Sequence, residues 1–150
     1  VEIIFKDITT IEKGFIAHGV NRRVKMGSGV AKSLYTKWEQ VKIQYMSRKN
    51  PVPALGSIDE VIINKDLSVF NCYTQEFYGF AGVYANITAI VDSLEKVCNV
   101  AKNNLITTIY IPKIGCDRGG LRWEDVEPKL KKLEDKHNIE FVVCRYFDKG

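Results

Sequence analysis

Few residues of the kinds that hold metals are present: two histidines and four cysteines in 150 residues. The cysteines, Cys72, Cys98, Cys116 and Cys144, stand far apart, and none belongs to a C-x-x-C pair. That spacing argues against a zinc site, and no carboxylate cluster replaces it, so no metal is expected. Cys72 and Cys144 fall in apolar strand patterns and read as buried thiols of a reducing, cytoplasmic setting. No apolar run approaches the ~20 residues that span a membrane. The stretch Val1-Glu2-Ile3-Ile4-Phe5-Lys6 is too short and too charged for a secretory signal. Neither sign of charge dominates: 22 basic residues face 18 acidic ones, for a net charge of +4. That balance suits an anionic ligand but is too small to indicate nucleic acid. The basic clusters Lys37-Trp38-Lys42 and Lys129-Lys131-Lys132 read as solvated helix faces. No Ser-His-Asp order, internal repeat, low-complexity segment or linker is visible.

What is present fits one domain over residues 1–150, with 45% hydrophobic residues to fill a core. Strands are expected at Glu2 to Ile8 and Gly14 to Val20. Val30, Leu34, Trp38, Val41 and Tyr45 recur at helical spacing, so one helix is expected from Gly29 to about Arg48, stopped by Asn50-Pro51. Gly56 to Asn64 and Leu67 to Thr74 read as a hairpin turning at Lys65-Asp66. An aromatic, glycine-rich loop follows from Gln75 to Gly82, then a helix from Val83 to Lys102. Thr107 to Ile114 reads as a strand, Trp123 to His137 as a helix and Ile139 to Tyr146 as a last strand. This alternation predicts an α/β fold in three layers, a central mixed sheet flanked by helices on both faces.

In such sheets ligands bind beyond the carboxyl ends of the strands. Two loops qualify. One runs from Asn21 to Gly29, and the other is Gly115-Cys116-Asp117-Arg118-Gly119-Gly120. Each contains glycine, follows a strand and precedes a helix. Successive N–H groups in such loops make anion-binding nests, and a helix N-terminus adds its dipole. Two loops at equivalent places suggest a clamp on an extended ligand with more than one phosphate. His18, near the carboxyl end of its strand, is a candidate general acid or base. His137, at a helix end, reads as structural.

The runs Lys6-Asp7-Ile8-Thr9, Ile16-Ala17-His18-Gly19-Val20-Asn21 and Met26-Gly27-Ser28-Gly29-Val30-Ala31 together resemble the macro domain. So does Ile111-Pro112-Lys113-Ile114-Gly115-Cys116, followed by Gly119-Gly120-Leu121 and Trp123. The likeness is to the small single-domain branch, which includes ADP-ribose-1″-phosphate phosphatases, several of them phage-encoded, and hydrolases that remove ADP-ribose from proteins or DNA. It implies that Asp7 and the Ile8 N–H bind adenine, and that Asn21 meets the distal ribose. It implies that Gly27, Ser28, Gly29 and Val30 hold one phosphate. Ile114, Gly115, Cys116, Arg118, Gly119 and Gly120 would hold the other phosphate and the distal ribose. Tyr146 and Phe147 would stack on adenine. Three residues are expected to carry catalysis: His18, Asn21 and Asp117.

Family members that act through a lysine intermediate carry it just after the strand matching Val69 to Tyr73. Here that segment reads Thr74-Gln75-Glu76, which argues against lysine chemistry. The resemblance therefore implies a monomeric, cytoplasmic hydrolase (in host cytoplasm if phage-encoded). It would need no cofactor, act by metal-independent water attack, and take ADP-ribose-1″-phosphate as substrate. Removal of ADP-ribose from a macromolecule and non-enzymatic ADP-ribose binding are the alternatives.

Overall fold

The computed structural model describes residues 1–25, 29–49, 51–76, 85–116 and 119–146. Among the described residues six strands form one sheet: β1 (Glu2–Phe5), β2 (Gly14–Asn21), β3 (Ile58–Asn64), β4 (Leu67–Gln75), β5 (Thr108–Ile111) and β6 (Glu140–Arg145). Their order is β1-β6-β5-β2-β4-β3. All neighbours are parallel except β3 and β4, the expected hairpin. Four α-helices among the described residues cover the sheet: α1 (Val30–Lys37), α2 (Glu39–Met46), α3 (Ile87–Asn103) and α4 (Trp123–His137). The sheet is therefore mixed and the architecture three-layered, as the alternation predicts.

Strand periodicity sorts β2 between the two faces. Phe15 and Ala17 enter the core that Ile90, Leu94 and Val97 of α3 share with Val126 and Leu130 of α4. Ile16 and Val20 enter the other core, with Leu34 and Tyr35 of α1 and Val41 and Tyr45 of α2.

Three boundaries differ from expectation, each for a local reason. The first strand stops at Phe5, because Asp7 caps a 3-10 turn over Ile8–Thr10. Its Oδ1 accepts the Thr9 N–H at 2.9 Å and the Thr9 hydroxyl at 2.7 Å. The single helix expected after Gly29 is two helices, broken at Trp38, which is extended at φ −129°, ψ 97°. The apolar spacing across the break is compatible with either arrangement, so periodicity alone does not reveal it. The fifth strand ends at Ile111, before Pro112, which has no N–H to donate to a ladder. The expected helix start at Val83 and most of the aromatic loop before it lie outside the described residues. The described helix begins at Ile87, where the Asn86 side chain accepts the Ala89 N–H at 3.0 Å.

Candidate functional site

Sheet order puts the carboxyl ends of β2 and β5 side by side. From β2 the chain leaves toward α1 and α2 on one face, and from β5 toward α4 on the other. A crevice opens where neighbouring connections diverge in this way. The described parts of the two glycine loops, residues 21–25 with Gly29 and residues 115–116 with 119–120, follow these two strands.

The stretch from Asn21 to Lys25 after β2 is tightly bound to its surroundings. Asn21, 5% exposed, donates through Nδ2 to the Lys25 carbonyl at 3.1 Å and accepts the Lys25 N–H on Oδ1 at 3.2 Å. Its amide thus closes the turn that leads to the helix. Arg22 donates through Nε to the Pro53 carbonyl at 2.9 Å and pairs with Glu76 at 2.8 Å. Arg23 meets the other Glu76 oxygen at 3.1 Å. Val24 is 2% exposed with φ +57°, a conformation that a β-branched residue adopts only under constraint. The hydroxyl of Tyr45, itself fully buried, lies 2.8 Å from the Asn21 carbonyl and 3.1 Å from that of Lys25.

Gly29 caps α1 at φ +64°, ψ −127°, backbone that side chains disfavour. It offers no side-chain acceptor to the first N–H groups of α1, which open with Val30, and no acidic side chain lies in that first turn. Among the described residues, a Cβ on Gly29 would meet nothing within 4 Å, so they leave open space above the cap. Uncapped amides beside open space suit an anion. Gly27 and Ser28 lie outside the described residues.

The described residues of the second loop are held by backbone hydrogen bonds. The Leu121 N–H donates to the Gly115 carbonyl at 2.9 Å, the Cys116 N–H to that of Lys113 at 3.0 Å, and the Ala85 N–H to that of Gly119 at 3.0 Å. A Cβ on Gly119 would stand 2.5 Å from the Gly115 oxygen and 2.7 Å from the Ala85 Cβ, so only glycine fits there. Ile114 is 2% exposed and anchors the loop in the α3/α4 core, so any contact it offers a ligand comes from its backbone. Cys116 is half-buried with Sγ 3.6 Å from the Ile114 carbonyl. Gly120 follows at φ +80°. Asp117 and Arg118 lie outside the described residues.

At the far end of the crevice, β1 and β6 run parallel, with Phe5 opposite Arg145. Asp7 follows β1 and is held as a cap through Oδ1, while Ile8 is buried. Tyr146 follows β6, half exposed, 6.3 Å from the Phe5 ring. Phe147 lies outside the described residues.

His18 requires a correction. Counting in twos from Ile16 and Val20 puts it on the α1/α2 side of the sheet, where it is 1% exposed. Its Nε2 lies 2.6 Å from Asn71 Oδ1, and its Nδ1 has no partner among the described residues. The Tyr35 ring stands edge-on at 6.0 Å. Burial lowers its pKa from 6.5 to about 4, against the opposing effect of the Asn71 hydrogen bond. The imidazole is neutral and enclosed, and does not face the crevice. Sequence reasoning missed Tyr45, which enters only as one residue of an apolar stripe, and the Arg22–Glu76–Arg23 bridge, whose partners lie far apart in the chain. Among the described residues no group of His, Cys, Asp and Glu is gathered as a metal site.

No protein-family model matches the chain. An uncharacterised 17.5 kDa protein from the tk-vs intergenic region of Enterobacteria phage T4 is 31% identical over 135 residues, 85% of this chain and 84% of that protein. Human ADP-ribose glycohydrolase OARD1 is 21% identical over 129 residues, 85% of this chain and 79% of its own length. The macrodomain of Mycobacterium tuberculosis DarG superposes with a TM-score of 0.80 at 20% identity, over 98% of each chain. The chain is a macrodomain by fold and belongs to one family with the phage T4 protein.

Proposed function

We propose that the crevice binds ADP-ribose and that the protein hydrolyses an ADP-ribose derivative, with ADP-ribose-1″-phosphate as the substrate. The observation that carries this reading is the pair of glycine loops at the adjacent carboxyl ends of β2 and β5, one of them leading into the uncapped α1. A diphosphate has two anionic groups a few ångströms apart, which suits two such loops better than one. Asp7 Oδ1 takes both Thr9 hydrogen bonds, and Oδ2 is the oxygen we assign to the adenine amine. Tyr146 and Phe147 would stack on the base, and Asn21 would meet the distal ribose. The human relative, named an ADP-ribose glycohydrolase, supports both the ligand and the class of reaction.

Without His18, catalysis is assigned to Asp117 as the base, with Asn21 orienting the distal ribose. In this scheme Asp117 takes a proton from water, and the water oxygen attacks phosphorus. The bond from phosphorus to the 1″ oxygen breaks, and that oxygen leaves as the ribose hydroxyl by taking a proton from solvent, to which Asp117 returns the one it accepted. Backbone amides of both loops and the Arg118 guanidinium would stabilise the phosphoryl charge. The name of the human relative also favours a second reading, release of ADP-ribose from a macromolecule.

Calorimetric titration with ADP-ribose, followed by assay of phosphate released from ADP-ribose-1″-phosphate in buffer with EDTA, tests the proposal. Binding and EDTA-resistant phosphate release are expected, and Asp117→Ala should slow release by about 10²–10⁴-fold, the usual cost of a lost general base. Turnover of ADP-ribosylated protein or DNA alone would select the second reading. Binding with no turnover of either would leave a binding module, and no binding would refute the assignment of the crevice.

A further inference from the structure

We infer that Tyr45 is a positioning residue for the crevice: its buried hydroxyl clips the stretch Asn21–Lys25 after β2 through the carbonyls of those two residues, and so fixes how Asn21 meets the ligand. The inference rests on the ADP-ribose reading above. Four observations converge on it. First, the clipped stretch contains Val24 at φ +57°, buried and β-branched, a shape the chain does not hold by itself. Second, Asn21, the ribose candidate, has its side chain tied to Lys25 on both of its polar atoms, so whatever sets Lys25 also sets the Asn21 amide.

Third, the clip depends on the break at Trp38. A straight helix would carry Tyr45 about 24 Å along its axis from Gly29. The stretch from Lys25 to Gly29 reaches at most about 14 Å, which leaves the tyrosine near or beyond the limit of contact. With the break, α2 packs on β3 and β4, and the Tyr45 hydroxyl arrives at the carbonyls of Asn21 and Lys25.

Fourth, the ring is braced on both sides. Tyr35 stacks on it at 5.7 Å and Tyr73 at 6.2 Å, and the Tyr73 hydroxyl donates to Asp59, which Arg48 faces at 3.5 Å. Burial also raises the pKa of Tyr45, so the hydroxyl keeps its proton and remains a donor. A hydroxyl donates one proton, so it serves one carbonyl at a time and tolerates small shifts of the loop between the two.

Tyr35 supplies the control. It belongs to the same stack and is 4% exposed, but its hydroxyl has no partner among the described residues. The experiment titrates ADP-ribose into wild type, Tyr45→Phe and Tyr35→Phe by calorimetry, with melting temperatures recorded for each. Tyr45→Phe is expected to weaken ADP-ribose about five- to tenfold, the scale of one net hydrogen bond transmitted to the ligand. Tyr35→Phe is expected to bind within about twofold of wild type. Wild-type affinity in Tyr45→Phe overturns the inference, and so do equal losses in both variants, which would show that the stack acts by packing alone. No binding by the wild type overturns instead the ADP-ribose reading. A second measurement needs no variant: with 3-fluorotyrosine incorporated, saturating ADP-ribose should move the Tyr45 fluorine resonance more than that of Tyr35. A Tyr45 resonance unmoved at saturation sinks the inference.

Discussion

An imidazole enclosed by Asn71 and Tyr35 takes a proton less readily in the folded chain than in the unfolded one. The folded pKa of His18 is about 4, against 6.5 for the free side chain. The unfolded chain therefore binds more protons between those values, and acid favours it. The contribution is complete above about pH 6.5 and is lost as the pH falls through about 4, for a total on the order of 3 kcal/mol. His18→Gln keeps an amide donor for Asn71 Oδ1 and removes the titration. Urea unfolding of both proteins from pH 7 to pH 4 should show the wild type losing about 2–3 kcal/mol more than the variant. Equal slopes would mean that the imidazole is not held neutral. The residue was legible as a histidine near a strand end, and its side of the sheet follows from counting in twos from Ile16. Its enclosure was not legible, because α1, α2 and the distant Asn71 provide it. Asp7 shows the reverse case: its cap needs only Thr9, two residues away in the chain.

Elements were legible wherever one periodicity ran unbroken. The α3 stripe and the β3–β4 hairpin follow the sequence pattern closely. The break at Trp38 was not legible, since the apolar positions on either side keep helical spacing across it. The end of α3 carries a feature that no pattern announces. The Ile106 N–H donates to the Ala101 carbonyl at 2.8 Å and the Leu105 N–H to that of Lys102 at 3.2 Å, the two bonds of a Schellman stop. Glycine usually fills the left-handed position of that motif, but here it is Leu105, at φ +58° and 90% exposed. The left-handed strain costs about 1–2 kcal/mol, and glycine returns part of it as entropy of the unfolded chain. Leu105→Gly should therefore raise stability by up to about 1 kcal/mol, seen as a rise in melting temperature of roughly 2–4 °C. An unchanged or lower melting temperature would contradict the strain.

At the scale of the whole molecule, strand and helix alternation announced the three layers. The strand order was not written in the alternation. It puts β1 at one edge with β6 as its single neighbour, so the first strand of the chain is held by the last. β1 is four residues long, and Ile3 and Phe5 on it are 44% and 70% exposed. Such an edge opens locally at low cost, well before the molecule unfolds. Asp7 hangs from this strand, next to Lys6, whose N–H donates to the Arg145 carbonyl at 2.8 Å. If adenine binds Asp7, every peeling of β1 must first release the base, and the ligand becomes a latch on the edge of the sheet. A hydrogen bond to a charged group, about 1.5–3 kcal/mol, corresponds to roughly 10–100-fold slower opening-limited exchange. Amide hydrogen exchange at Lys6 should slow by about that factor with saturating ADP-ribose in wild type. In Asp7→Ala, at ligand concentrations that restore saturation, it should hardly slow at all.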